Sequence, residues 1–197
     1  MSAPYDAQTA LVVVDVQNDF ADPDGSLYVR DADSVIDVAN AEISAARAAG
    51  ALVVYTQDWH PPETPHFAKD GGTWPVHCVG GTWGAELHPR LEVGAGSERV
   101  RKGTAGEDGY SGFTVADPVT GDTHPTGLDA LLRRRALEGV VVLGLATDYC
   151  VKATALDAVA LGYRTSVVTD GVRPVELEPG DGERAIAEMA AAGVTLL

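Results

Sequence analysis

The chain has 197 residues, and 29 Asp and Glu against 14 Lys and Arg give it a formal net charge of −15. A surface that neutralises many phosphates must be basic, so neither nucleic acid nor an anionic membrane is an expected partner, and the acidity is read as a means of solubility. Hydrophobic residues at 45% and charged residues at 22% exclude wholesale disorder, and the length suffices to bury a core in a single domain over 1–197 without staples.

No apolar run approaches the ~20 residues of a membrane span. The N-terminus, Met1-Ser-Ala-Pro-Tyr-Asp, has no basic segment and no cleavage-site pattern, so no signal peptide is expected. Cys78 and Cys150 are too few for a disulfide framework. Free thiols and a cytoplasmic location are the expectation.

In chain order, Leu11–Val16 is β-branched and apolar on both faces, as in a strand covered on both sides. Ser34–Ala49 carries apolar residues at helical spacing and stops at Gly50. Ala51–Tyr55 is a second buried strand. The stretch 57–97 is rich in Pro, Gly, His and Trp without clear periodicity, and a loop of that length in a compact domain is usually functional. Glu98–Lys102 is a short strand, and Gly103–Thr126 is again loop. Gly127–Leu137 is helical, Val140–Leu145 a strand, Tyr149–Leu161 a helix and Arg164–Val168 a strand. Gly182–Ala192 is a helix, and Val194–Leu197 a last strand. Strands alternating with helices predict an α/β fold, a three-layer α/β/α sandwich with a mostly parallel central sheet. Its ligand crevice lies outside the carboxyl ends of the strands.

Three residues fall at those ends. Asp15 closes an apolar strand, where a carboxylate needs a partner; it is a functional group or a structural cap. Lys102 ends a short strand, and matters if it faces a thiolate or carboxylate. Cys150 follows a strand and opens a helix, where the helix dipole lowers a thiol pKa and backbone N–H groups can hold an oxyanion; the alternative is a small buried hydrophobe. Together they offer a nucleophile, a cation that favours its thiolate and a proton carrier.

The segment Asp58-Trp-His60-Pro-Pro-Glu-Thr-Pro-His66 follows the second strand, and His77 comes in Trp74-Pro-Val-His-Cys. Three imidazoles and a carboxylate suit one divalent ion, Zn²⁺ first, with Fe²⁺ and Mn²⁺ as alternatives. His88 and His124 are read as ordinary loop residues and Glu63 as a surface residue.

The segments VVVDVQNDF, TQDWHPPETPHF, WPVHCVGGTWGAELHP, RKGTAGEDGYSGF and GLATDYCVKATALDA resemble the nicotinamidase/pyrazinamidase family of the isochorismatase-like cysteine hydrolases. The resemblance implies a triad of Asp15, Lys102 and Cys150, and metal ligands Asp58, His60, His66 and His77. It implies an oxyanion hole from the backbone of Ala146 and Cys150, with a cis peptide before Ala146, and ring-binding walls that include Phe20 and Trp74, with Tyr110 nearby. The implied reaction converts nicotinamide and water to nicotinic acid and ammonia through a thioester, with pyrazinamide as a second substrate, in NAD salvage. The implied partner is a small-molecule amide, in a chain that can form a homo-oligomer. The rival readings are a sister cysteine amidase acting on a carbamoyl or ureido compound, a non-catalytic binding domain, and a metalloenzyme whose nucleophile is a metal-bound hydroxide.

Overall fold

The β-branched apolar runs pair side by side and in parallel. The computed structural model describes residues 4–197, so the leader reading of Met1–Asp6 rests partly on residues outside these. The strands are β1 (Thr9–Val14), β2 (Leu52–Asp58), β3 (Glu98–Lys102), β4 (Thr114–Ala116), β5 (Thr123–Pro125), β6 (Gly139–Leu145), β7 (Arg164–Arg173) and β8 (Thr195–Leu196). Six of them form one sheet in the order β3-β2-β1-β6-β7-β8, and every neighbouring pair in it is parallel.

The helices are α1 (Asn18–Ala21), α2 (Ala32–Ala48), α3 (Leu128–Arg134), α4 (Lys152–Ala160) and α5 (Asp181–Ala191). Successive strand residues point to opposite faces, and β1 shows the result. Leu11 and Val13 pack with Val35, Ile36, Ala39 and Ile43 of α2. Ala10, Val12 and Val14 pack on the other face with residues of α3, α4 and α5 such as Leu132, Ala155 and Met189. The sheet therefore lies between two apolar layers, as the uninterrupted apolar runs predict. Among the described residues, no helix is long and apolar enough to cross a membrane.

Differences from the sequence reading lie mostly outside the sheet. The loop expected over Gly103–Thr126 contains the antiparallel hairpin of β4 and β5; its arms are three residues each, too short for alternation to register. Strand β7 runs on to Arg173 rather than ending at Val168. The helix expected from Tyr149 begins with a π-helical turn over Thr147–Val151, the kind of irregularity that often marks a functional position. Strand β6 is irregular between Val142 and Gly144 in its pairing with β7. A Cβ on Gly144 would sit 2.1 Å from the Val14 carbonyl oxygen. Glycine there lets β6 press against β1 where both strands approach the crevice.

Candidate active site

The strand ends bring the three singled-out residues together. Asp15 directly follows β1 with φ of 48°, a left-handed conformation that costs a non-glycine residue energy. The Thr56 hydroxyl of β2 holds it there, donating to Asp15 Oδ1 at 2.6 Å and accepting from the Asp15 amide at 3.2 Å. Lys102 ends β3 and is only 1% exposed. Its Nζ lies 2.7 Å from Asp15 Oδ2, 2.5 Å from Asp58 Oδ1 and 3.5 Å from Cys150 Sγ, and it also donates to the Gly109 carbonyl. A buried ammonium is costly unless paired, and here two carboxylates face it. Cys150 comes from the π-helical turn after β6, and its Sγ and one oxygen each of Asp15 and Asp58 lie within 4.8 Å of one another. The peptide between Leu145 and Ala146 is cis.

Burial and charge set the protonation states. Burial alone would push Lys102 down, but Asp15, Asp58 and Cys150 outweigh it and hold the ammonium well above its ordinary range. Burial raises Asp58, yet the Lys102 charge and the contacts with His60 and His77 bring it well below the usual carboxylate range. For Asp15 burial prevails over Lys102, and the charge of Asp58 adds to it, so the carboxyl is raised. The Cys150 thiol is pushed well above its ordinary value, first by burial and then by the two carboxylates, with Lys102 opposing. This corrects the lowered thiol pKa expected from the helix dipole. The dipole argument sees only the local turn, whereas burial beside two carboxylates is a tertiary effect.

The stretch after β2 supplies the histidines. A nitrogen from each of His60, His66 and His77 lies within 4.8 Å of the other two. His77 Nδ1 is held by the Pro75 carbonyl at 2.8 Å and His66 Nδ1 by Asp108 Oδ1 at 2.6 Å. Such partners fix the tautomer and leave Nε2 free to ligate. His60 is buried with neither ring nitrogen paired, and a buried polar atom without a partner demands an explanation. Asp58 Oδ2 lies 3.8 Å from Nε2 of both His60 and His77, so Asp58 joins the triad to the imidazoles. Three imidazoles around one carboxylate make a donor set that fits a divalent ion. His88 and His124 stand outside this group.

Residues of both groups line one pocket. Phe20, Trp74 and Tyr110 line it, with Ala146, Cys150, Asp58, His66 and His77. Leu27, Tyr149 and Val175 complete the lining and were not singled out from the sequence. The Trp74 indole N–H donates to the Tyr110 hydroxyl at 2.8 Å and the ring meets Tyr149 edge-on at 4.8 Å. Phe20 faces His77 at 5.4 Å.

The isochorismatase domain family matches residues 9–197. The chain belongs to the isochorismatase family. Within it, the chain is 42% identical to the nicotinamidase of Escherichia coli (strain K12), over 95% of this chain and 93% of that one. The pyrazinamidase of Pyrococcus horikoshii, crystallised in complex with zinc, superposes with a TM-score of 0.85 at 37% identity, covering 96% of this chain and 98% of that one. PnC1 from L. infantum in complex with nicotinate gives a TM-score of 0.90 at 34% identity, covering 100% of this chain and 96% of that one. The resemblance read from the motifs therefore extends over nearly the whole chain.

Several residues that hold this isochorismatase-family site together escaped the sequence reading. Gln17 clamps the Asp58 backbone from both sides, donating to its carbonyl at 2.7 Å and accepting from its amide at 2.8 Å. Asp19 accepts from the Cys78 amide at 2.7 Å, next to His77. Asp148 accepts from the amides of Val175 and Glu176, both at 2.9 Å, which fixes one pocket wall. Gln17 and Asp19 lie in the Asp15–Phe20 motif and Asp148 directly precedes Tyr149 and Cys150, so adjacency to catalytic candidates was the signal available.

Proposed function

We propose that this chain hydrolyses nicotinamide to nicotinic acid and ammonia by covalent catalysis at Cys150, as one domain over 1–197, in the cytoplasm and in the service of NAD salvage. One observation carries the reading: Lys102 Nζ reaches Asp15, Asp58 and Cys150 at once, beneath an aromatic pocket bordered by imidazoles. A pocket of that shape suits a flat heteroaromatic amide.

The raised thiol and the raised Asp15 carboxyl imply that the resting nucleophile is neutral and that its proton leaves as attack proceeds. Asp15 takes the proton from Cys150, and Lys102 holds the thiolate by charge. The Cys150 sulfur then bonds to the carboxamide carbon. The backbone N–H groups of Ala146 and Cys150 receive the oxyanion, an interaction worth ~3 kcal/mol per donor. Protonated Asp15 returns its proton to the departing nitrogen as the C–N bond breaks, releasing ammonia and leaving a thioester. Asp15 next takes a proton from water, whose oxygen attacks the thioester carbon. The carbon–sulfur bond breaks, nicotinic acid forms, and the proton returns to Cys150. Asp58, His60, His66 and His77 would hold one divalent ion, Zn²⁺ first, which when bound would orient the ring and withdraw electrons through its nitrogen.

Pyrazinamide, with the same amide on a related ring, is the expected second substrate. A carbamoyl or ureido acid has no flat ring for the aromatic lining of Phe20, Trp74, Tyr110 and Tyr149 to hold. Ammonia release by metal-loaded protein from nicotinamide, pyrazinamide and a panel of carbamoyl and ureido acids tests the reading. Release from the two ring amides alone is expected; release from the acids alone would overturn it.

A further inference from the structure

We propose that Asp108 is a positioning residue that aims His66 at the divalent ion, and that the β4–β5 hairpin holds Asp108 in place for this purpose. The inference rests on the reading of His66 as a ligand. The three imidazoles are secured differently. The His77 ring donates to a backbone carbonyl and His60 has no partner at either nitrogen. His66 alone is secured by a carboxylate, its Nδ1–H donating to Asp108 Oδ1 at 2.6 Å. That hydrogen bond keeps the proton on Nδ1, leaves the Nε2 lone pair for a cation, and makes the imidazole a more basic donor. Among the described residues, Asp108 has no Lys or Arg within 4.0 Å, so surface ion pairing does not account for its charge.

The backbone is built to keep it there. The Asp108 amide donates to the Ala116 carbonyl at 2.7 Å, and the Ala116 amide returns a bond to the Asp108 carbonyl at 2.9 Å. Asp108 thereby pairs with β4, the first arm of the hairpin. The hairpin is tied to α4 through Thr114, whose hydroxyl donates to Asp157 Oδ2 at 2.8 Å. A second clip joins the same two loops, since Thr64 Oγ1 donates to the Gly106 carbonyl at 2.7 Å and accepts from the His66 amide at 3.1 Å. The path from hairpin to cation is thus Ala116, Asp108, His66.

Zn²⁺ affinity by chelator competition, on the full chain, tests this in a double-mutant cycle. Asp108→Ala should weaken binding about 10–100-fold. Asp108→Asn should lose less, because its amide oxygen still accepts from Nδ1–H. In a His66→Ala background, Asp108→Ala should cost nothing further, since the residue acts only through His66. An equal loss in both backgrounds would mark a general structural role and overturn the proposal. Unchanged affinity in Asp108→Ala while His66→Ala weakens binding would overturn it and leave the ligand reading of His66 standing. Unchanged affinity in both would overturn the two together.

Discussion

Asp15, Lys102 and Cys150 stand at or just beyond the ends of β1, β3 and β6, whereas His60, His66 and His77 stand on the stretch between β2 and β3, whose own regular structure is two short 3₁₀ turns. The first group inherits its geometry from the sheet, because parallel pairing and two packed apolar layers fix where each strand ends. The second group has no such frame. Its geometry comes from individual hydrogen bonds: Gln17 to the Asp58 backbone, Asp19 to Cys78, Pro75 to His77, and Asp108 to His66. Strand pairing and core packing spread the support of the first group over many residues, while each imidazole rests on at most one or two contacts. The two groups should therefore be separable by mutation, except at Lys102 and Asp58, where they touch.

The largest effect is expected at that junction. Lys102→Met leaves Asp15 and Asp58 facing each other in a buried site, and removing one partner of a buried pair costs about 3–5 kcal/mol. Thermal unfolding should show a marked drop, and ammonia release should fall to background in the same variant. A native-like melting temperature would mean that the carboxylates are better solvated than their burial indicates.

Gly103→Ala tests the separation itself. Gly103 has φ of 74°, and a Cβ there would lie 2.5 Å from Cε1 and 2.6 Å from Nδ1 of His60. The imidazole must shift, so Zn²⁺ binding should weaken about tenfold or more, while alkylation of Cys150 by a thiol reagent keeps its rate. Equal damage to both readouts would merge the two regions into one.

Thr56→Val is the mildest change. The Thr56 hydroxyl stabilises the ionised form of Asp15, whose carboxyl burial already raises. Removing that bond favours the protonated form further. Asp15 must be ionised to accept the thiol proton, so the acid limb of the kcat/KM profile should move to higher pH. A limb that stays in place would assign it to another group.

The same division governs what could be read from the sequence. The apolar runs before Asp15 and after Glu138 reveal a sheet buried on both faces, and the strand-end rule then places Asp15, Lys102 and Cys150 at one edge. The clustered histidines stand out as a candidate ion site, because three imidazoles and a carboxylate offer the donor types a divalent ion takes. Asp108 gave no such signal: an acid in a Gly-rich segment looks like a solvated loop residue until the hairpin turns it toward His66. Tyr149 was hidden in the same way, since only the π-helical turn directs it to the pocket. The thiol pKa ran opposite to expectation because a helix terminus is visible in sequence and the burial around it is not.

The central claim is that the sulfur of Cys150 is the nucleophile. Cys150→Ala should be assayed for ammonia release from nicotinamide beside the wild type, with metal content measured on both. The account predicts that turnover falls by about 10⁴-fold or more while metal content and fold are unchanged. A Cys150→Ala enzyme that keeps its turnover and loses it only on chelation would contradict the account and make a metal-bound hydroxide the nucleophile.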